Sequence, residues 1–323
     1  MRDYLSINIV CASDNNYVEP MTAMLCSCLE NISIISKVKI FILDGGITKN
    51  NIQKVKNFFK KYNNVELKII SINKDLYKKY KIKNHLTDAT YYRIDVPNLL
   101  PDIDRILYLD CDLIVVGDVS TIFNIDMNGK TIAACQDHDV NVHNMYNKVF
   151  KKKSKLGYFN AGVILMDLIS MRNKDISSKI KVLIEKRDDI EKLPGCDQKY
   201  LNYYFFDNWV KINPQWNSQV SLESTNSYKE TVFSKEKFYI VKNFPKILHF
   251  SSSICKPWLY EGVTMYKAIY EFYLDKTNFK DSRSDFSYTK LYKKFINYLY
   301  FKIAPSSINT IIYKMIGKFK KYE

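Results

Sequence analysis

Two aspartates, Asp110 and Asp112, stand at the end of the apolar run RILYLDCDLIVV (105–116). Ionised carboxylates are costly to take out of water unless something positive meets them. At a spacing of i and i+2 on an extended segment, both side chains point the same way. So placed, they form a hard-oxygen site for a divalent cation that can also hold phosphate oxygens. By itself Asp-x-Asp is common in loops and turns, and a solvated strand end explains an isolated occurrence. The seven cysteines lack C-x-x-C spacing and read as reduced thiols, not as a disulfide frame or a zinc site.

The elements that must position the pair alternate in kind. INIVCA (7–12), VKIFIL (38–43) and VELKII (65–70) are short β-branched runs that predict strands. Residues 19–36 and 48–62 between them predict helices, the second with Thr48 as N-cap. That order implies a mostly parallel, Rossmann-like sheet covered on both faces. Ligands of such sheets sit at the carboxyl ends of the strands, and Asp110 ends the strand RILYLD. TIAACQD (131–137) predicts another strand, 138–157 a polar, lysine-rich loop, and YFNAGVILMDLISMR (158–172) a buried strand leading into a helix. Residues 197–217 run from a helix into a loop, and KILHFSSSICKPW (246–258) closes the core.

With 323 residues, 46% hydrophobic and 26% charged, the composition is that of a soluble globular protein, not a disordered one. The start of the chain predicts no cleaved leader, and no run is apolar for long enough to span a bilayer. The net charge of +15 suits a polyanionic partner. From Phe286 onward there are eight lysines and one acid, Glu323. Ile308, Ile311, Ile312, Met315, Ile316 and Phe319 share one helical face there, with Lys314, Lys318 and Lys321 off it. This basic amphipathic pattern predicts a peripheral helix on an anionic membrane surface; the plainer alternative is a terminal helix packed on the core with solvated lysines. The expected organisation is therefore a catalytic domain over 1–260 and a small helical, basic C-terminal region over 261–323, of which 286–323 is the membrane-associating tail.

With YYRIDVPNLLP before YLDCDLIVV and YFNAGVILMDL after it, the chain resembles the retaining glycosyltransferases of family 8 over roughly residues 5–260. That family includes bacterial galactosyl- and glucosyltransferases of lipopolysaccharide synthesis and the glycogenins. The resemblance implies a GT-A fold and a UDP-sugar donor, UDP-galactose or UDP-glucose. It implies Mn2+, with Mg2+ as the alternative, held by Asp110, Asp112 and His249. Ala12, Asp14 and Asn16 of CASDNNY match the nucleotide-binding end of the first strand, Lys256 of CKPW the diphosphate ligand, and His85 a loop position closing over the donor. Arg93, Asn160 and Ala161 match donor-sugar contacts. Asp197 and Gln198 of GCDQ match the pair at the anomeric carbon. Tyr17 and Asp137 match acceptor-side positions. In HFSSSICKPW serines replace a glycine that usually follows the histidine, and the spacing to the lysine is one residue longer.

The same resemblance implies an enzyme that moves a hexose to a saccharide hydroxyl in surface-glycan synthesis, and the basic tail would hold it at the cytoplasmic face of the membrane, where a lipid-linked oligosaccharide acceptor would be found. Gln198 is a poor nucleophile, which favours front-face attack, with Asp197 as the alternative nucleophile. The lysine-rich loops 75–85 and 138–156 are expected to order over the donor. His138 and His143 carry no match and read as loop residues, while Arg93 has a structural alternative in pairing with Asp95 or another carboxylate. Two rival functions stay open: a metal-dependent nucleotidyltransferase and a non-catalytic saccharide- or nucleotide-sugar-binding scaffold. Nucleic-acid binding is suggested by charge alone and has no motif behind it.

Overall fold

The computed structural model describes residues 6–33, 36–80, 87–186, 188–252, 255–259 and 264–281. The basic tail 286–323 and His85 lie outside them. Ten strands appear in chain order: β1 (Ser6–Ser13), β2 (Lys37–Asp44), β3 (Val65–Ser71), β4 (Arg105–Leu109), β5 (Leu113–Val115), β6 (Ile132–Gln136), β7 (Phe159–Asp167), β8 (Val210–Ile212), β9 (Ser218–Gln219) and β10 (Ile247–His249). Seven make the main sheet in the order β3-β2-β1-β4-β7-β6-β8. β1–β2, β2–β3, β1–β4 and β6–β8 pair parallel, and β7 runs antiparallel to both β4 and β6. A second, three-stranded sheet follows the order β5-β10-β9. This is the mainly parallel α/β architecture that the strand–helix alternation predicts.

Side-chain alternation divides the core. Ile7, Ile9 and Cys11 of β1, with Ile40 and Ile42 of β2 and Leu107 of β4, point to the face covered by the helices Val18–Asn31 and Lys49–Phe59. Val10, Phe41, Leu43, Ile106 and Tyr108 point to the opposite face, under the helices Tyr92–Leu99 and Ile176–Lys186. Both faces are buried, which is why the central strands read as continuous apolar runs. Thr48 caps the second helix, its Oγ1 accepting from the Asn51 N–H at 3.4 Å. The helix Lys267–Leu274 lies on Val18–Asn31, where Asn31 Nδ2 donates to the Tyr273 hydroxyl at 2.8 Å.

Two expectations are corrected. Residues 138–157 are not a polar loop: Val140–Phe150 is a helix capped by Asp139, whose Oδ1 accepts from the Asn141 N–H at 2.8 Å. Only His143 and Tyr146 are buried on it, and two buried positions one turn apart leave too thin an apolar stripe to read in the sequence. The described part of the expected loop 75–85, residues 75–80, consists of turns anchored to the core. Tyr77 and Tyr80 are buried, and the Tyr77 hydroxyl donates to Asp95 at 2.6 Å.

His143 is therefore a core histidine, not a loop residue. Its Nδ1 accepts from the Tyr158 N–H at 3.2 Å and its Nε2 donates to the Asp137 carbonyl at 2.9 Å. Burial holds its pKa below the ordinary value of 6.5, outweighing the Asp137 carbonyl, which acts in the other direction. The unfolded chain takes up a proton near pH ~6.5 that the folded chain refuses, so this stabilisation is complete above that pH and lost as pH falls below it. Accordingly, the Tm advantage of wild type over His143→Gln should narrow as pH is lowered from about 7.5 to about 5.5. A constant difference in calorimetry would contradict the neutral buried state.

Candidate active site

Asp110, Cys111 and Asp112 form the link between the two sheets. β4 ends at Leu109 and β5 begins at Leu113, and the intervening residues bend instead of continuing as the extended strand that their spacing suggests. The two carboxylates still converge, because each flank is pinned to a different sheet. The Asp110 N–H donates to the Gly162 carbonyl of β7 at 2.9 Å, and the Asp112 carbonyl accepts from the Phe250 N–H at 2.9 Å. β5 and β10 pair antiparallel with Leu113 opposite His249, which brings the imidazole beside Asp112. His249 Nε2 lies 3.3 Å from Asp112 Oδ1 and 3.9 Å from Asp110 Oδ2. One ligand atom from each of the three residues falls within a span of 4.8 Å. Octahedral ligands about 2.1 Å from one ion sit about 3 Å apart, so small side-chain adjustments suit this set to a divalent ion.

β7 supplies the next layer. Its register with β6 shifts between Ala134 and Cys135, whose partners are Ile164 and Asn160, so Ala161, Gly162 and Val163 form a bulge. The bulge turns backbone groups toward the site. Ala161 N–H donates to Gln198 Oε1 at 2.8 Å, the Ala161 carbonyl accepts from Arg93, and Gly162 N–H donates to Asn160 Oδ1 at 3.0 Å. Gly162 is required at this point: a Cβ there would fall inside van der Waals contact with the His249 ring.

Arg93 is only 4% exposed and does not pair with Asp95, which is bound instead by Lys181 at 2.6 Å and by Tyr77. Its NH2 group lies 2.9 Å from Asp110 Oδ1 and its Nε 2.7 Å from Asp197 Oδ2, while Tyr108 stacks beneath the guanidinium at 4.5 Å. Thr90 Oγ1 donates to the other Asp197 oxygen at 2.6 Å. Burial nevertheless leaves the Asp197 carboxyl above its ordinary pKa. Lys256 Nζ reaches Asp112 Oδ2 at 2.5 Å. Burial resists the ionisation of Asp112, but Lys256 and His249 outweigh it and hold that carboxyl well below the usual range.

These groups line a cavity of about 550 Å³, a size suited to a nucleotide-sugar. Ala12, Asp14, Tyr17, Asp137, Asn160, Ala161, Asp197 and Gln198 all reach it, with Arg93, Lys256 and the three clustered ligands. Asn16 does not: it is exposed, and its N–H serves only to turn the chain by donating to Asp14 Oδ1 at 2.9 Å. Tyr17 sits against Lys256, whose Nζ lies 5.3 Å from its ring, and edge-on to Trp258. Asp137 is buried and accepts from Gln219 Nε2 at 3.0 Å. Asn217, Gln219 and Thr90 are site residues that the sequence gives no sign of. The first two arrive because β9 pairs with β10 in a register that sets Gln219 beside His249.

The profile of Glycosyl transferase family 8 matches residues 8–262. General stress protein A of Bacillus subtilis is 29% identical over 86% of this chain and 96% of its own length. Lipopolysaccharide 1,2-glucosyltransferase of Escherichia coli is 25% identical over 89% and 84%, respectively. Among solved structures, the galactosyltransferase LgtC with donor and acceptor sugar analogs superposes with a TM-score of 0.72 at 20% identity, covering 89% of this chain and all of that one; its fold is the GT-A fold.

The close approach at Gly162 gives a direct test of the cluster. Gly162→Ala should push the His249 ring out of line and weaken divalent-cation binding about 10- to 100-fold in calorimetric titration, with the fold retained by circular dichroism. Unchanged affinity would show that His249 does not depend on the bulge.

Proposed function

The chain belongs to glycosyl transferase family 8, and on that premise we propose that it moves a hexose, galactose or glucose, from a UDP-sugar to a saccharide hydroxyl with the α configuration retained. The observation that carries this reading is the convergence of Asp110, Asp112 and His249 beside Lys256 in one cavity. Charge supports it. Six aspartates (Asp14, Asp110, Asp112, Asp137, Asp139 and Asp197) line the cavity against the fixed cations Arg93 and Lys256. A dianionic diphosphate would be repelled there without a further cation. The donor set fits one: two carboxylates and an imidazole favour Mn2+ over the oxygen-seeking Mg2+. Bound by Asp110, Asp112 and His249, it would supply Lewis-acid stabilisation of the leaving diphosphate.

The residues divide the remaining work. Lys256 exchanges its contact with Asp112 for the diphosphate and meets the charge that develops on it. Ala12, Asp14 and Asn16 bound the nucleotide end, with Asn16 acting through the turn it makes with Asp14. Arg93, Asn160 and Ala161 hold the sugar, Asp137 faces the acceptor, and Tyr17 braces Lys256 from that wall. Gln198 lies at the anomeric carbon with its carbonyl already engaged by Ala161 N–H, and Asp197 is bound by Arg93 and Thr90. Neither is free to act as a nucleophile without breaking those contacts, which favours same-face attack, the acceptor proton passing to the departing phosphate oxygen. The E. coli relative is, by name, a lipopolysaccharide 1,2-glucosyltransferase. We extend this to a surface glycan on a lipid-linked acceptor at the cytoplasmic membrane face. Among the described residues no helix is long and apolar enough to cross a membrane, and the basic segment 286–323 is assigned peripheral attachment on its sequence.

Purified protein incubated with Mn2+ and a panel of UDP-sugars should release UDP from one of them, in a manner abolished by EDTA. Asp112→Asn should lower kcat/KM by about 10²- to 10³-fold. Release of pyrophosphate from a nucleoside triphosphate would instead establish the nucleotidyltransferase reading. Deleting 286–323 should abolish co-sedimentation with phosphatidylglycerol vesicles at low salt. Undiminished sedimentation would remove the tail from the account.

A further inference from the structure

Behind His249 runs a chain of buried amides whose hydrogen bonds to one another the reading above does not use. His249 Nδ1 lies 2.8 Å from Asn217 Oδ1, Asn217 Nδ2 lies 2.9 Å from Asn160 Oδ1, and Asn160 Nδ2 lies 3.4 Å from Asp137 Oδ2. His249 and Asn217 are 3% and 4% exposed, and Asn160 and Asp137 are both 7% exposed, so water does not compete freely for these bonds. An amide can be turned over and an imidazole can carry its proton on either nitrogen, so the direction of such a chain must be fixed by groups that have no choice. Two are present. The Gly162 N–H only donates, and it meets Asn160 Oδ1 at 3.0 Å. The ionised Asp137 carboxylate only accepts, and it meets Asn160 Nδ2, with Gln219 Nε2 donating to the same oxygen at 3.0 Å.

From these ends the polarity follows step by step. Asn160 must present its oxygen toward Gly162 and Asn217. Asn217 must then present its NH2 to Asn160 and its oxygen to His249. His249 must in turn carry a proton on Nδ1, which leaves Nε2 as the ring nitrogen that faces Asp110 and Asp112. We infer that Asn217 is a positioning residue that holds His249 in its Nδ1–H tautomer, and that Asn160 and Asp137 fix the direction of that hold. The alternative tautomer would place an N–H against Asn217 from neither nitrogen and a bare Nδ1 against a bare Oδ1 at 2.8 Å. The metal-binding consequence rests on the proposed function; the tautomer itself does not.

Four histidines in the whole chain make the test practicable. In the full-length metal-free protein labelled with 15N-histidine, the imidazole nitrogen shifts distinguish a protonated from a bare nitrogen, and loss of one set in His249→Gln assigns the ring. Wild type should show His249 protonated on Nδ1. Asn217→Leu fills the same space but accepts nothing. It should shift the ring toward the Nε2–H form and weaken Mn2+ affinity about 10- to 100-fold by electron paramagnetic resonance. Asn217→Asp, which still accepts from Nδ1–H, should keep the tautomer and recover most of the affinity. A purely packing role would leave the nitrogen shifts alone in the leucine variant. A bare Nδ1 in wild type, or an unchanged ring and affinity in Asn217→Leu, would overturn the inference. Should Asn217→Leu fail to fold, Asn160→Leu frees Asn217 to turn over and must give a mixture of tautomers. A wild-type protein with the Nδ1–H ring and no Mn2+ affinity would uphold the positioning role and remove the metal reading.

Discussion

The Arg93 guanidinium is the group on which the centre of the molecule depends. It sits almost out of water between Asp110, which follows β4, and Asp197, which precedes the helix Gln198–Tyr204. Without it two carboxylates from distant parts of the chain would confront each other in a poorly solvated space. Breaking a buried ion pair by removing one partner typically costs about 3–5 kcal/mol, because a charge is left uncompensated. Tyr108 beneath the guanidinium and the Ala161 carbonyl at its edge complete its surroundings. One side chain thus ties β4, β7 and the Gly195–Gln198 turn into a single wall.

That wall is built around a break in regular pairing. A strand that pairs continuously spends its N–H and C=O groups on its neighbours, whereas the bulge at Ala161–Gly162 releases several of them. They are not wasted: Gln198, Arg93, Asn160 and Asp110 each take one. The small residues of Asn-Ala-Gly have a physical reason here. Gly162 leaves room for the His249 ring, and any larger side chain would occupy it.

The second sheet has only three short strands, yet it delivers three positions of the candidate site. β5 leaves directly from Asp112, β10 carries His249, and β9 begins right after Asn217. Pairing of a few residues is enough because the partners are held elsewhere by the main sheet and its helices. At this junction Lys256 lies on Asp112 and also against Tyr17, so under the proposed function an arriving diphosphate would compete with that carboxylate for the ammonium.

Local pattern alone sufficed for the α/β class, the central strands and the two helices that cover the first face, because each is a long run with one clear period. It also singled out Asp110 and Asp112, since charge at the end of a buried strand is chemically conspicuous. It missed the helix Val140–Phe150, where burial falls on just two residues, and the strands β5, β8 and β9, which are too short to show a period. Asn217 and Gln219 were invisible for a different reason. Their roles exist only through β9 pairing with β10, and a neutral amide in a polar stretch has no signature until its partner is known. The choice of partner for Arg93 was likewise settled in three dimensions: Asp95 is two residues away along a helix and points off the other way to Lys181, while Asp110 and Asp197 meet the guanidinium across the fold. Residue type and spacing determine which chemistry is on offer; long-range register decides which groups face one another, because hydrogen bonds and ion pairs act over a few ångströms of space and not along the chain.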